Sequence, residues 1–247
     1  MRSFDEALTA VAHVDGWMSP DQALRLYHAA AGTHQGETIV EIGSFRGRST
    51  IVLASAAPPG VQIVAIDPHA GNDRGPQEID GFEAAAATDH DVFNANLAAA
   101  GVAERVQHVR AFSDVAHDQV AGELAVLYVD GAHRYSPARS DIREWGRRVS
   151  PGGTLLIHDS FSSVGVTLAI ARELIFSARW RYVGRARSLT EYRADLDGTW
   201  RSRMGNAARQ LVQLPWFVKN LMLKVLLTLK LGGVLKKITG REPEWPY

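Results

Sequence analysis

The run Thr38-Ile39-Val40-Glu41-Ile42 is β-branched and apolar, ends on Gly43, and leads straight into a helix-like segment. That unit recurs. A helix over 48–56 is stopped by Pro58-Pro59-Gly60, and strands follow at Gln62 to Asp67, Arg105 to Arg110, Leu124 to Val129 and Thr154 to Ile157. Between them, helices are expected from about Phe82 or Val92 to Ala100, from Pro137 to Val149 and from Val164 to Ser177, with a turn at Pro151-Gly152-Gly153. Trp180 to Gly184 and Arg187 to Tyr192 read as a closing antiparallel pair. Strands and helices alternating at this spacing predict an α/β fold with a doubly wound, Rossmann-like parallel sheet. Ahead of it, Ser19-Pro20-Asp21-Gln22 is an N-cap, a proline at the first helical position and a glutamine at the third. The chain divides into an N-terminal helical layer (1–35), the α/β domain (36–198) and a C-terminal helical tail (199–247).

Charge is segregated along the chain. Residues 1–198 carry 18 Arg, no Lys and 25 acids, a net −7, whereas residues 199–247 carry 4 Arg, 5 Lys and 2 Glu, a net +7. An acidic body with a basic tail suggests that the tail touches something anionic or the body itself, or is simply solvated. With no cysteine, disulfides, zinc–thiolate sites and iron–sulfur clusters are excluded, and any metal must sit on oxygen or imidazole. The acidic start, with Asp5 and Glu6, does not resemble a signal peptide, and no uncharged apolar run reaches about 18 residues. A cytoplasmic enzyme is the expectation.

In a doubly wound sheet the ligand sits beyond the carboxyl ends of the strands. This directs attention to Glu41-Ile42-Gly43, Asp67, Ala111-Phe112-Ser113, Asp130 and His158-Asp159. The turn Gly43-Ser44-Phe45-Arg46-Gly47 spaces its glycines four apart, so it is not the G-x-G-x-x-G cradle of a pyrophosphate. Asp67 stands 20 residues beyond Gly47, where an acid can accept from both ribose hydroxyls. The pair suggests a nucleoside cofactor without a diphosphate.

Val40-Glu41-Ile42-Gly43-Ser44-Phe45-Arg46-Gly47-Arg48-Ser49-Thr50, Ile66-Asp67-Pro68-His69, Tyr128-Val129-Asp130-Gly131-Ala132-His133-Arg134-Tyr135, Pro151-Gly152-Gly153 and His158-Asp159 occur in that order. The set resembles class I S-adenosylmethionine-dependent methyltransferases, and within them the metal-dependent macrocin and mycinamicin type of sugar O-methyltransferase, over about residues 36–195. The resemblance implies S-adenosylmethionine contacts from Glu41, Gly43, Ser44, Gly47, Ser49, Asp67, Ser113 and Asp130. It also implies a divalent metal, Mg²⁺ or else Mn²⁺, on Asp130, His158 and Asp159. His158 stands where the family usually has an acid, so it either ligates the metal or points into the sheet. His133 matches the histidine given the general-base role, with Asp130 as its catalytic companion. Helix caps or surface roles are the plainer alternatives for Asp130, His133 and Asp159. The loop 69–91, with His69, Asp73, His90 and Asp91, is either a lid over the site or simply solvated. Arg134 and Tyr135 are placed to line an acceptor site.

The expected function is methyl transfer to a hydroxyl of a small sugar or glycan, in a chain that forms a monomer or a homo-oligomer. The alternatives are a phenolic or polyketide acceptor, an NAD-dependent oxidoreductase, which the missing G-x-G-x-x-G opposes, and a non-catalytic nucleotide- or membrane-binding module. Nucleic acid is not an expected partner, because the body is acidic and carries no aromatic-flanked Asn-Pro or Asp-Pro motif of the base-methylating type. In the tail, Leu211, Val212, Leu214, Trp216, Phe217, Leu221, Met222, Val225, Leu226 and Leu229 are interleaved with Lys219, Lys224, Lys230, Lys236 and Lys237. Residues 205–247 are expected either to lie in a membrane interface, at the inner face, or to pack on the body or a second subunit, with a helix break at Gly232-Gly233.

Overall fold

A computed structural model describes residues 1–70 and 88–229. Asp73, most of the expected lid, the possible helix start at Phe82, Lys230, Lys236, Lys237 and the Gly232-Gly233 break lie outside them. Helices α1 (Phe4–Ala10) and α2 (Pro20–Ala31) open the chain, each with a capping box, Ser3 with Glu6 and Ser19 with Gln22. The α/β unit then runs β1 (Thr38–Ile42), α3 (Arg48–Ala56), β2 (Gln62–Ile66), α4 (Asp89–Ala99), β3 (Val106–Val109), β4 (Leu124–Val129), α5 (Tyr135–Ser140), β5 (Val149–Ile157) and α6 (Val164–Glu173). A hairpin of β6 (Arg181–Ala186) and β7 (Leu189–Arg193) closes it, and α7 (Trp200–Leu211) and α8 (Leu214–Thr228) form the tail.

The seven strands form one sheet in the order β3-β2-β1-β4-β5-β7-β6. The first five are parallel, and β7 is antiparallel to both β5 and β6. The strand order reverses between β1 and β4, which opens a crevice at their carboxyl ends. Side chains alternate between the faces. Ile39, Ile63, Val126, Tyr128 and Leu156 share one core with Leu26, Ile51 and Phe93 of the N-terminal and flanking helices. Val40, Ile42, Val64, Leu127, Leu155 and Ile157 share the other with Ile142, Trp145, Val166 and Ile170, and Trp216 and Phe217 of α8 pack onto it.

Three expectations change. Pro151-Gly152-Gly153 is not a turn ahead of the strand but a bulge inside β5: Leu124 pairs with Val149 while Val126 pairs with Thr154, so extra residues on β5 are accommodated between them. The helix expected over 137–149 begins at Tyr135 and, after Ser140, widens into a π turn (Asp141–Trp145) and then a 3₁₀ turn (Gly146–Arg148). The wider turn brings Asp141, Ile142 and Trp145 all to the buried side. The helix expected to reach Ser177 ends at Glu173, and the carbonyls of Leu174 and Ile175 lie within reach of the Gln210 amide of α7 (3.4 and 3.5 Å).

Trp145 ties this region together. Its ring is buried, stacks on His117 with centroids 4.3 Å apart, and donates from Nε1 to Ser113 O at 3.1 Å. Trp145→Ala should therefore destabilise the fold by about 3–5 kcal/mol, measured by urea unfolding. Trp145→Phe should recover most of that loss, because it restores the packing but not the bond to Ser113.

Candidate active site

The turn after β1 is shaped by Gly43. Its φ is +87°, and a Cβ there would overlap the Asp130 carbonyl and come within 2.7 Å of Gly131 N, so only glycine lets β1 and β4 close up at the crevice. Beneath the turn, the buried Glu41 carboxyl accepts from Ser49 Oγ and Thr50 Oγ1. Burial pushes its pKa up to about 7, against the pull of those hydroxyls. The Glu41 and Ser49 side chains thus bond to each other and brace the turn from below, with Ser44 buried beside them.

Asp67 joins the ends of β1 and β2. Its Oδ2 accepts from Phe45 N and its Oδ1 from His69 N, each at 2.8 Å, and each oxygen retains a lone pair for a further donor. Phe45 and His69 both hold left-handed φ, +46° and +47°. His69 Nε2 donates to Phe45 O at 2.6 Å, which leaves its buried Nδ1 without a partner among the described residues. The rings of His69, His90, His108 and Phe93 pack together behind this corner, with centroids 4.8–5.6 Å apart. Burial, then the neighbouring His69, lowers the His108 pKa to about 4. Ser113, at the end of β3, donates to buried Asp141 at 2.5 Å.

The ends of β4 and β5 carry the charged cluster. Asp130 Oδ2 accepts from Tyr128 OH at 2.7 Å. His158 Nδ1 stands between the two carboxylates, 3.2 Å from Asp130 Oδ1 and 3.4 Å from Asp159 Oδ2. His133 Nε2 lies 2.5 Å from Asp159 Oδ2. Burial opposes charge on both rings, but the two aspartates outweigh it, raising His133 and taking His158 well above the ordinary histidine value. Burial likewise opposes the Asp159 charge, yet His158 and His133 hold its pKa well below the usual carboxylate range. Ligand atoms of Asp130, His133 and Asp159 all fall within 4.8 Å of one another. These nitrogens approach carboxylate oxygens without hydrogen-bond geometry, and His133 Nε2 and both His158 nitrogens are buried with no such partner among the described residues. The Asp130 and Asp159 carboxylates offer the hard oxygen donors that a divalent cation takes. The sequence expectation is thus rearranged: His133 joins Asp130 and Asp159 at the mouth, whereas His158, with a side chain 4% exposed, lies behind them as their counter-charge.

Two tail residues support this cluster, Asn220, which the sequence reading did not name, and Lys224, which it named only as a tail cation. Asn220 Nδ2 donates to Phe161 O at 3.1 Å and Lys224 Nζ to Ser162 O at 3.0 Å, so α8 grips the loop that carries His158 and Asp159. That loop is strained: Asp159 and Phe161 both hold φ near +53°. His133 is fixed from the other side, where Ser163 Oγ donates to its carbonyl at 3.2 Å and Gly165 packs with no room for a Cβ. Side chains of Asn and Lys in an apolar helix were the available signal, but their partners lie about 60 residues away in sequence.

Asp141 gives a pH test of the packing behind the site. Burial raises its pKa from 3.8 to about 7, so the folded state prefers the neutral acid. The stability this contributes is complete at low pH and is lost as pH rises through that value. Asp141→Asn should therefore melt above the wild type at about pH 8, with the difference shrinking towards about pH 5, as followed by differential scanning calorimetry.

Comparison with known proteins agrees with this geometry. Residues 40–160 match a family model described as a methyltransferase domain. Among solved structures, the O-methyltransferase NovP superimposes with a TM-score of 0.57 at 16% identity, over 72% of this chain and 81% of NovP. The O-methyltransferase TomG from Streptomyces achromogenes, solved with S-adenosylmethionine, gives 0.51 at 20% identity, over 78% and 89%. The Podospora anserina methyltransferase PaMTH1, solved with S-adenosylhomocysteine, gives 0.56 at 15% identity, over 79% and 89%. The matched domain, the sheet order and the ordered strand-end residues show a methyltransferase domain with the class I S-adenosylmethionine-dependent fold.

Proposed function

We propose that the enzyme transfers the methyl group of S-adenosylmethionine to a hydroxyl of a sugar or glycan, with a divalent cation held by Asp130 and Asp159. The observation that carries this reading is the 2.5 Å approach of His133 Nε2 to Asp159 Oδ2 beyond the carboxyl ends of β4 and β5, beside the point where the strand order reverses. Asp67, with its free lone pairs, is suited to the ribose hydroxyls, and the Gly43 turn lets the cofactor approach the backbone. Glu41, Ser44 and Ser49 act through the turn, and Ser113 borders the same side. Arg134 and Tyr135 follow His133 in sequence and are suited to an acceptor, as polar fork and aromatic face.

A sugar hydroxyl is a very weak acid, and a bound cation of this kind lowers the pKa of an oxygen it touches. His133 supplies the base: with Nε2 turned to Asp159, its Nδ1 takes the hydroxyl proton, and Asp159 stabilises the imidazolium that results. The acceptor oxygen attacks the sulfonium methyl, the carbon–sulfur bond breaks with its electron pair remaining on sulfur, and S-adenosylhomocysteine leaves. His158, charged and buried, keeps the two carboxylates from repelling each other. A phenolic or polyketide acceptor is the second reading, favoured by the likeness in fold to TomG, described as acting in tomaymycin synthesis.

His133→Ala should lower kcat by about 10²–10⁴ with S-adenosylhomocysteine affinity nearly unchanged, because a base acts in the transition state. Wild-type activity should fall as pH drops through the imidazole range, since a protonated ring cannot accept. Chelation should abolish turnover and Mg²⁺ or Mn²⁺ should restore it. A His133→Ala enzyme with wild-type kcat would remove the base, and full turnover in excess EDTA would remove the cation.

A further inference from the structure

The tail helix α8 is apolar on two sides, and among the described residues only one of them is covered. Trp216, Phe217, Asn220 and Lys224 face the body, where Asn220 and Lys224 bind the loop after β5. On the opposite side Leu214, Val218, Leu221, Met222, Val225 and Leu229 are each 37–63% exposed. Their spacing follows the helical period, so they form one continuous stripe about 22 Å long at about 1.5 Å per residue. A surface helix normally turns such a stripe to the core.

The charge of the tail sequence indicates its occupant. All five lysines of the chain fall between Lys219 and Lys237, and Lys219 lies on the helix itself. Residues 199–247 carry +7 against −7 on residues 1–198. An anionic surface would attract the tail and repel the body, which fixes the orientation as well as the contact. The stretch Trp200–Thr228 is long and apolar enough by composition to cross a membrane. Crossing is opposed by the polar face, because Asn206, Gln210 and Asn220 are buried against the body and hold its backbone carbonyls. A helix bound to protein on one face and apolar on the other fits a position in the plane of the interface.

We propose that α8 docks the enzyme on an anionic lipid surface, its exposed stripe in the headgroup region and its Asn220–Lys224 face on the catalytic loop. This rests on the tail alone and stands or falls independently of the acceptor and the cation. The test is co-sedimentation of the full chain with phosphatidylcholine vesicles, with and without phosphatidylglycerol. A triple variant, Val218→Ser with Leu221→Ser and Val225→Ser, is compared alongside, with melting temperature and light scattering recorded for both proteins. Binding is expected only with phosphatidylglycerol, weakening as salt rises from about 0.05 to about 0.5 M. The variant should melt as the wild type does and bind at least about tenfold more weakly. Wild-type protein that stays in the supernatant, or a variant that binds equally, would overturn the proposal. A lowered melting temperature in the variant would overturn it in favour of the chain's own residues covering the stripe. A wild-type dimer that the substitutions dissociate, without vesicle binding, would overturn it in favour of a second copy.

Discussion

The contact on which the site depends is the closure of β1 against β4. Asp130 N donates to Ile42 O at 2.8 Å, and Gly43 lies flat against the Asp130 carbonyl where a side chain could not. Because the strand order reverses there, the helices following β1 and β4 lie on opposite faces of the sheet and leave the crevice open between them. Everything chemical is placed at that opening: Asp67 one strand to one side, Asp130 on the edge itself, Asp159 one strand to the other side.

Closing the strands also concentrates charge in a region with little water. Two carboxylates meet at the ends of β4 and β5, and an imidazolium at His158 offsets them. His133 stands at the mouth, its side chain 27% exposed and its Nε2 turned inward to Asp159. Glu41 and Asp141 show the opposite solution to the same problem: with hydroxyl partners instead of cations, burial keeps each near neutrality until about pH 7. The left-handed backbone at Phe45, His69, Asp159 and Phe161 lies at three of the strand ends that line the crevice, as expected where geometry serves the site.

Much of this could be read from the sequence because it is local. β1, α3 and β4 have the expected bounds, since β-branched runs ending in glycine or acid leave few alternatives. The adjacency of Asp130 and Asp159 follows from the pairing of the two strands that carry them. What could not be read is long-range or depends on orientation. Whether His158 points out to a ligand or back between two carboxylates is a side-chain direction at a strand end, where period-two alternation no longer applies. The bulge at 151–153 depends on register with β4, and the π turn at 141–145 on the need to bury Trp145. The tail reading left packing and interface open because α8 has apolar residues on both sides, so its period names no single face. The grip of Asn220 and Lys224 on the β5 loop, about 60 residues back, chooses the packed one.

The central claim is that Asp130 and Asp159 form a cation site, and direct metal binding tests it before any acceptor is known. Mn²⁺ titrated into the full-length protein should lose its free-ion electron paramagnetic resonance signal at one equivalent. Asp159→Asn should abolish that loss while leaving S-adenosylhomocysteine binding intact. Wild-type protein that leaves the free Mn²⁺ signal unchanged, or an Asp159→Asn protein that binds Mn²⁺ as tightly as the wild type, would contradict the account.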